Sequence, residues 1–289
     1  MSIHTLTPAK AATLLTCAAV IAATLACQSA SSRSGQPTFA SPEDAAKALI
    51  EVAKGGKLEE LMKLLGPEAQ PLVDASDPKT ARQNRDVFVV AAAEGWRLVD
   101  DDPDSRVLVV GYESWPFPVP IVKDANRWRF DTAAGVEEVL ARRIGRNELA
   151  AIRACRTYVF AQKLYARRGY DGKPAGLYAT ALRSDPGRRN GLYWPAVRGE
   201  RRSPLGDLIA DSGDGKSPFH GYRFKILAPR EPKGFALVAW PATYDSTGVM
   251  TFVVNQDGIV SEKDLGADTD RVAGAMTAYD PDTTWDIVR

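Results

Sequence analysis

The chain has 289 residues, of which 45% are hydrophobic and 25% are charged, and its formal net charge is +1. These proportions are those of an ordinary folded protein, and they exclude a disordered chain, a collagen-like fibre and a small disulfide-rich domain. The length predicts about two domains, each large enough to bury its own core.

Residues 1–26 are predicted to be an export signal peptide. The run from Ala11 to Cys27 has no charged side chain and is shorter than the roughly 20 residues that a membrane-spanning helix needs. The residues before Cys27, Thr24-Leu25-Ala26, resemble the lipobox of bacterial lipoproteins, which implies that Cys27 is the lipidated first residue of the mature chain. Cleavage after Ala26 without lipidation and a transmembrane anchor are the alternatives.

Export predicts a location in the periplasm or in the membrane-anchored cell envelope of a bacterium. Residues 27–38, which are mostly polar, are predicted to be a flexible tether between the lipid and the folded chain. The expected partners are therefore the membrane, reached through the lipid anchor, and another envelope protein. Nucleic acid is not an expected partner, because an exported protein meets little of it.

The mature chain has few side chains for metal binding or nucleophilic catalysis. Cys155 is the only cysteine after the signal peptide and Cys27, and His220 is the only histidine after His4. One thiol in the folded part excludes an internal disulfide. One imidazole and one thiol also exclude a multi-histidine or cysteine-rich zinc site. We therefore predict no metal and no cofactor.

The first domain, residues 39–134, is predicted to begin with helices and to end with strands. Ser41-Pro42 followed by two acidic residues is typical of a helix start. The helices are predicted at about residues 42–55, 58–65 and 78–93, and the strands at residues 106–115, 117–123 and 127–132. Helices on one face of a curved antiparallel sheet, closed by a hairpin before RWRFD, resemble the cone of the nuclear transport factor 2-like fold.

The second domain, residues 135–289, is predicted to begin with a long amphipathic helix that ends at Gly169. Leu149, Ile152, Cys155 and Val159 are spaced to share one face of this helix. A Gly-, Pro- and Arg-rich loop insertion is predicted at about residues 170–220. Four strands of an antiparallel meander are predicted to follow, at residues 222–227, 235–240, 249–254 and 259–263.

The helix NELAAIRACRTYVFAQKLYA, the strand HGYRFKI and the segment GFALVAWPATYDSTGVMTFVVNQDGIV follow one another in this second domain. This order resembles the globular part of type IV pilins and pseudopilins. The chain is not expected to be a filament subunit, because here a whole soluble domain precedes the helix and the helix itself is basic. The predicted fold class is therefore α+β in both domains.

Positive charge is concentrated in the middle of the chain, where residues 142–202 hold 15 Lys and Arg against 4 Asp and Glu. One interpretation is a basic belt for anionic partners such as lipid headgroups or lipopolysaccharide phosphates. The other, which the sequence favours, is that acidic flanking segments fold back and neutralise the belt. The candidate anion-binding residues are Arg142, Arg143, Arg146, Arg153 and Arg156.

The other candidate site residues are aromatic or nucleophilic. Trp115, Phe117, Tyr193 and Trp194 flank prolines, a composition seen in partner-binding grooves and also in ordinary cores. Cys155 and His220 are weak catalytic candidates, because they could form a nucleophile and its base. A cysteine on an apolar helix face is usually a small buried hydrophobe, however, so no catalytic residue is predicted.

Eight phrases follow one another along the chain: FASPEDAAKAL, SWPFPVPIV, RWRFDTAAG, ARRIGRNELAAI, GLYWPA, SPLGDLIA, GFALVAWPATY and GVMTFVVNQDGIVSEKDLG. Together they resemble the bacterial domain-of-unknown-function 2950 family. The resemblance implies a secreted or envelope-bound protein and names no catalytic residue.

We therefore expect a non-catalytic envelope lipoprotein that acts as a binding protein, an adaptor or an accessory subunit of an envelope assembly. One alternative is a periplasmic, hydrolase-like enzyme with its site in the N-terminal cone or in the loop at residues 172–214. A second alternative is the binding of anionic glycolipid by the basic helix.

Overall fold

The computed structural model describes residues 35–74, 78–171, 174–212 and 217–288. The chain divides into two compact units, Met1–Val136 and Glu137–Arg289. Each unit combines helices with an antiparallel sheet, which confirms the predicted α+β class. The predicted signal peptide, the lipidation residue Cys27 and most of the predicted tether lie outside the described residues.

Unit 1 begins with helices. Their bounds are α1 Pro42–Gly55, α2 Leu58–Leu65, α3 Gln70–Asp74 and α4 Pro78–Glu94. Helix α1 begins at the predicted cap, because the Ser41 hydroxyl accepts a hydrogen bond of 3.1 Å from the Asp44 amide. It ends at Gly56, whose φ of 69° is a left-handed conformation that glycine adopts without strain.

A single antiparallel sheet completes unit 1. Its strands are β1 Trp96–Asp102, β2 Ser105–Val110, β3 Trp115–Pro116, β4 Ile121–Asp124 and β5 Arg127–Phe130. They are ordered β1-β2-β4-β5, and β3 pairs with the end of β2. Strand β1 was not predicted, because its second half is acidic and exposed, which is atypical of a strand. The core lies between α1 and the sheet, where Leu49, Leu108, Ile121 and Phe130 are fully buried.

The last residues of the predicted tether belong to the fold of unit 1. The Gln36 side chain donates hydrogen bonds to the carbonyl oxygens of Leu65, at 3.1 Å, and Phe130, at 3.0 Å. Phe39 forms a β-bridge with Trp128. Because these contacts join residues far apart in sequence, the chain is fixed from Gln36 onward.

Unit 2 is built on the 37-residue helix α5, Thr132–Arg168, most of which it contains, and on a meander. The strands are β8 Tyr222–Leu227, β9 Ala236–Pro241, β10 Met250–Asn255, β11 Val260–Asp264 and β12 Asp286–Ile287, each antiparallel to the next. The four predicted strands are confirmed, and β12 adds a short fifth. Tyr158 of α5 packs on one face of this sheet with Phe224 and Phe252, and α7, Thr269–Ala275, packs on the other.

The segment predicted as a loop insertion, residues 170–220, contains regular structure. It holds the parallel strands β6, Ala181–Arg183, and β7, Gly191–Tyr193, and the helix α6, Asp207–Ser212. Its side chains Leu182, Leu192 and Leu205 are buried in the core of unit 2. A buried glutamine, Gln162, fixes it to α5 by donating 2.8 Å to the Ala179 carbonyl and accepting 2.9 Å from the Ala179 amide. The segment is therefore part of the fold, because its apolar residues and this polar anchor hold it to α5.

Candidate functional site

The two weak catalytic candidates have opposite environments. Cys155 lies on the buried side of α5 with no exposed surface, and burial raises the pKa of its thiol from 9.0 to about 12. His220 is exposed in the turn before β8, with a left-handed φ of 46°, and its ring lies against Phe219. The structure does not bring them into a hydrogen bond, so they offer no nucleophile and base.

The five candidate anion-binding arginines divide into two groups. Arg142 forms an ion pair of 2.7 Å with Glu138, four residues earlier on the helix. Arg143 is half-buried and donates 3.4 Å to the Ser246 hydroxyl of unit 2. These two side chains are used within the fold. Arg146, Arg153 and Arg156 are exposed.

Arg153 and Arg156 mark one continuous surface of α5, which we call the basic face; Arg146, three residues before its first member, is not part of it. The basic face consists of Leu149, Arg153, Arg156, Phe160, Lys163 and Arg167. Their spacing of alternately four and three residues puts them within an arc of about 80°, along about 27 Å of helix. The helix periodicity predicts this surface, but Lys163, Phe160 and Arg167 were not among the candidates.

The basic face combines four cations with two exposed apolar side chains. Leu149 is 56% exposed and Phe160 is 65% exposed. Within the described part of the chain, the side chains of Arg153, Arg156, Lys163 and Arg167 make no ion pair. The prediction that Leu149 shares the buried face of Cys155 is wrong, because two successive steps of three residues turn the side chain by about 120° on a helix.

The four aromatic candidates fall in different units. Trp115 and Phe117 lie in unit 1, with ring centroids 6.3 Å apart, and Phe117 also packs against Phe88 at 5.4 Å. Tyr193 and Trp194 lie in unit 2, where Trp194 is buried and Tyr193 is half-buried. Trp115 and Phe117 therefore belong to one aromatic cluster of unit 1, and Tyr193 and Trp194 belong to unit 2.

Trp194 lines an open groove in unit 2, with a volume of about 1380 Å³. We call it the arginine groove, because its lining includes Arg168, Arg183, Arg188, Arg189 and Arg201. The Arg183 guanidinium lies 4.5 Å from the centre of the Tyr193 ring, and the Arg189 guanidinium lies 5.7 Å from that of Trp194. The segment that sequence reasoning treated as a loop thus forms a basic and aromatic surface.

The carboxylates beside the arginine groove are used within the fold. Asp211 forms an ion pair with Arg183, and Glu200 forms one with Arg189. Asp185 accepts a hydrogen bond of 2.8 Å from the Asn190 side chain. In the residues that the structure describes, no three His, Cys, Asp or Glu side chains are grouped to hold a metal ion. None of the described helices is both long and apolar enough to span a membrane.

Comparison with known proteins gives one match. The family model described as "Protein of unknown function (DUF2950)" matches residues 36–288. No curated protein and no solved structure matches the chain, so the likenesses to the nuclear transport factor 2-like fold and to pilins stay predictions. Since the match covers residues 36–288 of the 289, the chain belongs to the DUF2950 family.

Proposed function

We propose that this protein is a non-catalytic, exported lipoprotein of the bacterial cell envelope, anchored through Cys27, that lies on an anionic membrane surface through the basic face of α5. In this position it acts as a binding or accessory subunit for another envelope protein. The observation that carries the proposal is the composition of the basic face, in which four exposed cations share one surface with two exposed apolar side chains and no acid intervenes.

The energetics of such a surface favour anionic lipid. A Lys or Arg near an anionic bilayer contributes about 1 kcal/mol, so the four cations together contribute about 4 kcal/mol. Leu149 and Phe160 are positioned among them, where apolar side chains of an interfacial helix enter the boundary between headgroups and acyl chains.

The chemistry of the described residues supports a non-catalytic role. The thiol of Cys155 is buried and protonated, and His220 is exposed beside Phe219. In the predicted enzyme site at residues 172–214, Asp185, Glu200 and Asp211 each bind a nitrogen of a neighbouring side chain. These carboxylates are paired within the fold, which favours a non-catalytic role for residues 172–214 over the hydrolase alternative at that place.

Vesicle sedimentation tests the membrane contact. The chain is produced from Gln28 onward, without the predicted lipidation site, and mixed with vesicles of phosphatidylglycerol or of phosphatidylcholine. The variant R153Q/R156Q is expected to bind the anionic vesicles about 30-fold more weakly, because it loses two contacts of about 1 kcal/mol each. Raising the salt to 1 M shortens the Debye length to about 3 Å and should weaken the original chain as well.

The matched control is R188Q/R201Q, which removes the same charge from the arginine groove and should leave vesicle binding unchanged. Equal binding to the two kinds of vesicle would contradict the proposal. So would an equal loss in both variants, because only net charge would then matter.

A mass spectrum of the protein from bacterial cells tests export and lipidation. We expect a mature chain that begins at Cys27 and carries the mass of an attached lipid. An unprocessed chain recovered from the cytosol would contradict export, and a chain beginning at Cys27 without added mass would contradict lipidation alone.

A further inference from the structure

The arginine groove contains two kinds of arginine. Arg183 and Arg189 each lie over an aromatic ring and form an ion pair, so their guanidinium groups are held by neighbours within unit 2. Arg168, Arg188 and Arg201 are exposed, and none of the described residues forms an ion pair or a hydrogen bond with their guanidinium groups. These three guanidinium groups are therefore available to a ligand.

The backbone that carries the available arginines is held in place before any ligand binds. The Trp194 indole donates a hydrogen bond of 3.1 Å to the Arg201 carbonyl, and the Arg188 amide donates 3.0 Å to the Asp185 carbonyl. The next residue, Arg189, is fixed through its carbonyl by the Tyr165 hydroxyl at 2.8 Å. A preorganised site loses less conformational freedom when a partner binds, which favours affinity.

The acidic side chains of the lining do not compete for these arginines. Asp171 accepts a hydrogen bond of 2.7 Å from the Arg189 amide, and Asp185 accepts one from Asn190. Glu200 is paired with Arg189. The carboxylates thus hold the loop, and the guanidinium groups of Arg168 and Arg201 stay unneutralised.

A buried tyrosine in the wall provides an independent observation. Tyr170 lines the groove, is only 6% exposed, and lies with its ring 5.0 Å from Trp194 and 4.8 Å from Tyr165. Its hydroxyl is buried, and none of the residues that the structure describes forms a hydrogen bond with it. A buried polar atom without a partner is costly, so the Tyr170 hydroxyl would gain a hydrogen bond if its ring turned toward a ligand bound in the groove.

We propose that the arginine groove binds an extended acidic peptide segment of a partner protein, with carboxylates held by Arg168, Arg188 and Arg201. Guanidinium groups bind carboxylates through paired hydrogen bonds. The volume of about 1380 Å³ exceeds that of an ordinary small-molecule pocket and suits several peptide residues. Trp194 and Pro195 in the lining offer apolar contacts for side chains between the acids.

This inference rests on the accessory role in the proposed function, for which it names the chemistry of the partner protein. It does not depend on the contact between the basic face and the membrane. A polyphosphate or an anionic glycan would also be attracted to arginine, but the aromatic and proline walls between the charges favour a peptide, whose side chains alternate in character.

Fluorescence anisotropy with the purified protein tests the proposal. The probe is fluorescein-labelled hexaglutamate, and the control probe is hexalysine with the same label. We expect saturable binding of hexaglutamate and no binding of hexalysine. The affinity for hexaglutamate should be about a hundredfold lower in R188Q/R201Q, because each lost charged contact lowers the affinity by a factor of about ten. R168Q alone should weaken it about tenfold. R153Q/R156Q, which loses the same charge from α5, should bind as the original chain does.

Two results would overturn the inference. One is an equal loss in R188Q/R201Q and R153Q/R156Q, which would mean attraction by net charge. The other is binding of polyphosphate in the groove without binding of hexaglutamate, which would identify a different class of ligand. Vesicle binding by R188Q/R201Q is measured in parallel, so that a failure of the peptide site is distinguishable from a failure of the membrane proposal.

Discussion

Replacing Cys155 by alanine is expected to make unit 2 more resistant to alkali. Cys155 is fully buried between α5 and the sheet, and this burial raises the pKa of its thiol from 9.0 to about 12. Between these two values the unfolded chain loses the thiol proton while the folded chain keeps it. The folded state therefore loses stability as the pH rises above 9, because deprotonation favours the unfolded chain.

The size of the effect follows from the two pKa values. At pH 8.5 the thiol is mostly protonated in both states, whereas at pH 10.5 it is ionised only in the unfolded chain. This difference lowers the free energy of unfolding by about 2 kcal/mol between the two pH values. The loss is 1.36 kcal/mol for each pH unit above the pKa of the thiol in the unfolded chain. Burial also raises the pKa of Tyr158 and Tyr222, so both chains should lose further stability in alkali.

Urea unfolding at pH 8.5 and 10.5, with a reductant present, measures the difference. The original chain should lose about 2 kcal/mol more than C155A over this interval, although C155A starts from a lower stability because it leaves a small cavity. The other titrating groups are present in both chains. The Cys155 thiol contributes to the raised pKa of Tyr158 and of Tyr222, but burial is the main cause and keeps both tyrosines protonated in either folded chain at pH 10.5, so their effects cancel. Identical losses in the two chains would refute the buried, protonated thiol and would revive Cys155 as a reactive group.

Four further substitutions test particular contacts, three by urea or thermal unfolding and one by amide exchange. Gln162→Leu should lower the free energy of unfolding by about 2–4 kcal/mol, because it leaves both backbone groups of Ala179 buried without partners; unchanged stability would contradict this anchor. Gly248→Ala should cost about 1–3 kcal/mol, since its Cβ would lie 2.6 Å from Cζ of the buried Tyr222 ring. Gly145→Ala, with no atom within 4 Å of its Cβ, should instead stabilise α5 by about 0.5–1 kcal/mol, so equal effects at the two glycines would show that packing is not the cause. Ser41→Ala removes the cap of α1 and should cost about 1 kcal/mol, seen as faster amide exchange in its first turn; unchanged exchange would show that the cap contributes nothing.

The elements that the sequence predicted are those with local signals. The start of α1 at Ser41 depends on a side-chain cap, and its end at Gly56 depends on a backbone conformation that glycine itself supplies. Strand β1 depends instead on pairing with β2, in which residue 98 lies opposite residue 108. This pairing is made in the folded chain and stabilises β1 in spite of its acidic composition. The same reason explains β6 and β7, which are three residues each and are held by the core beneath them.

The candidate site was predictable where helix geometry alone decides which side chains share one exposed face. Arg153 and Arg156 were identified from the sequence and are exposed on α5, and Lys163 and Arg167 follow from the same spacing. The arginine groove was not predictable, because it depends on how the segment after Gly169 folds around Tyr170 and Trp194. The aromatic residues beside prolines indicated only that Trp194 would lie in a partner-binding groove or in an ordinary core.

The excess of positive charge in residues 142–202 can now be assigned to surfaces. Neutralisation by acidic flanking segments, which the sequence favoured, occurs at the Arg142–Glu138 and Arg183–Asp211 ion pairs. The acids inside the segment are each used elsewhere: Glu148 accepts the Val249 and Met250 amides, Asp171 accepts the Arg189 amide, Asp185 binds Asn190, and Glu200 binds Arg189. None of these carboxylates pairs with the cations of the basic face, or with Arg168, Arg188 and Arg201. Acids elsewhere in the chain offset these cations overall, since the net charge is +1, but locally the cations are open to solvent ions or to an anionic partner. A partner that displaces those ions gains binding free energy, and this gain becomes smaller as the salt concentration rises. The salt dependence of vesicle binding should therefore decrease in R153Q/R156Q, and that of peptide binding should decrease in R188Q/R201Q. Comparing the two variants distinguishes the membrane surface from the peptide groove.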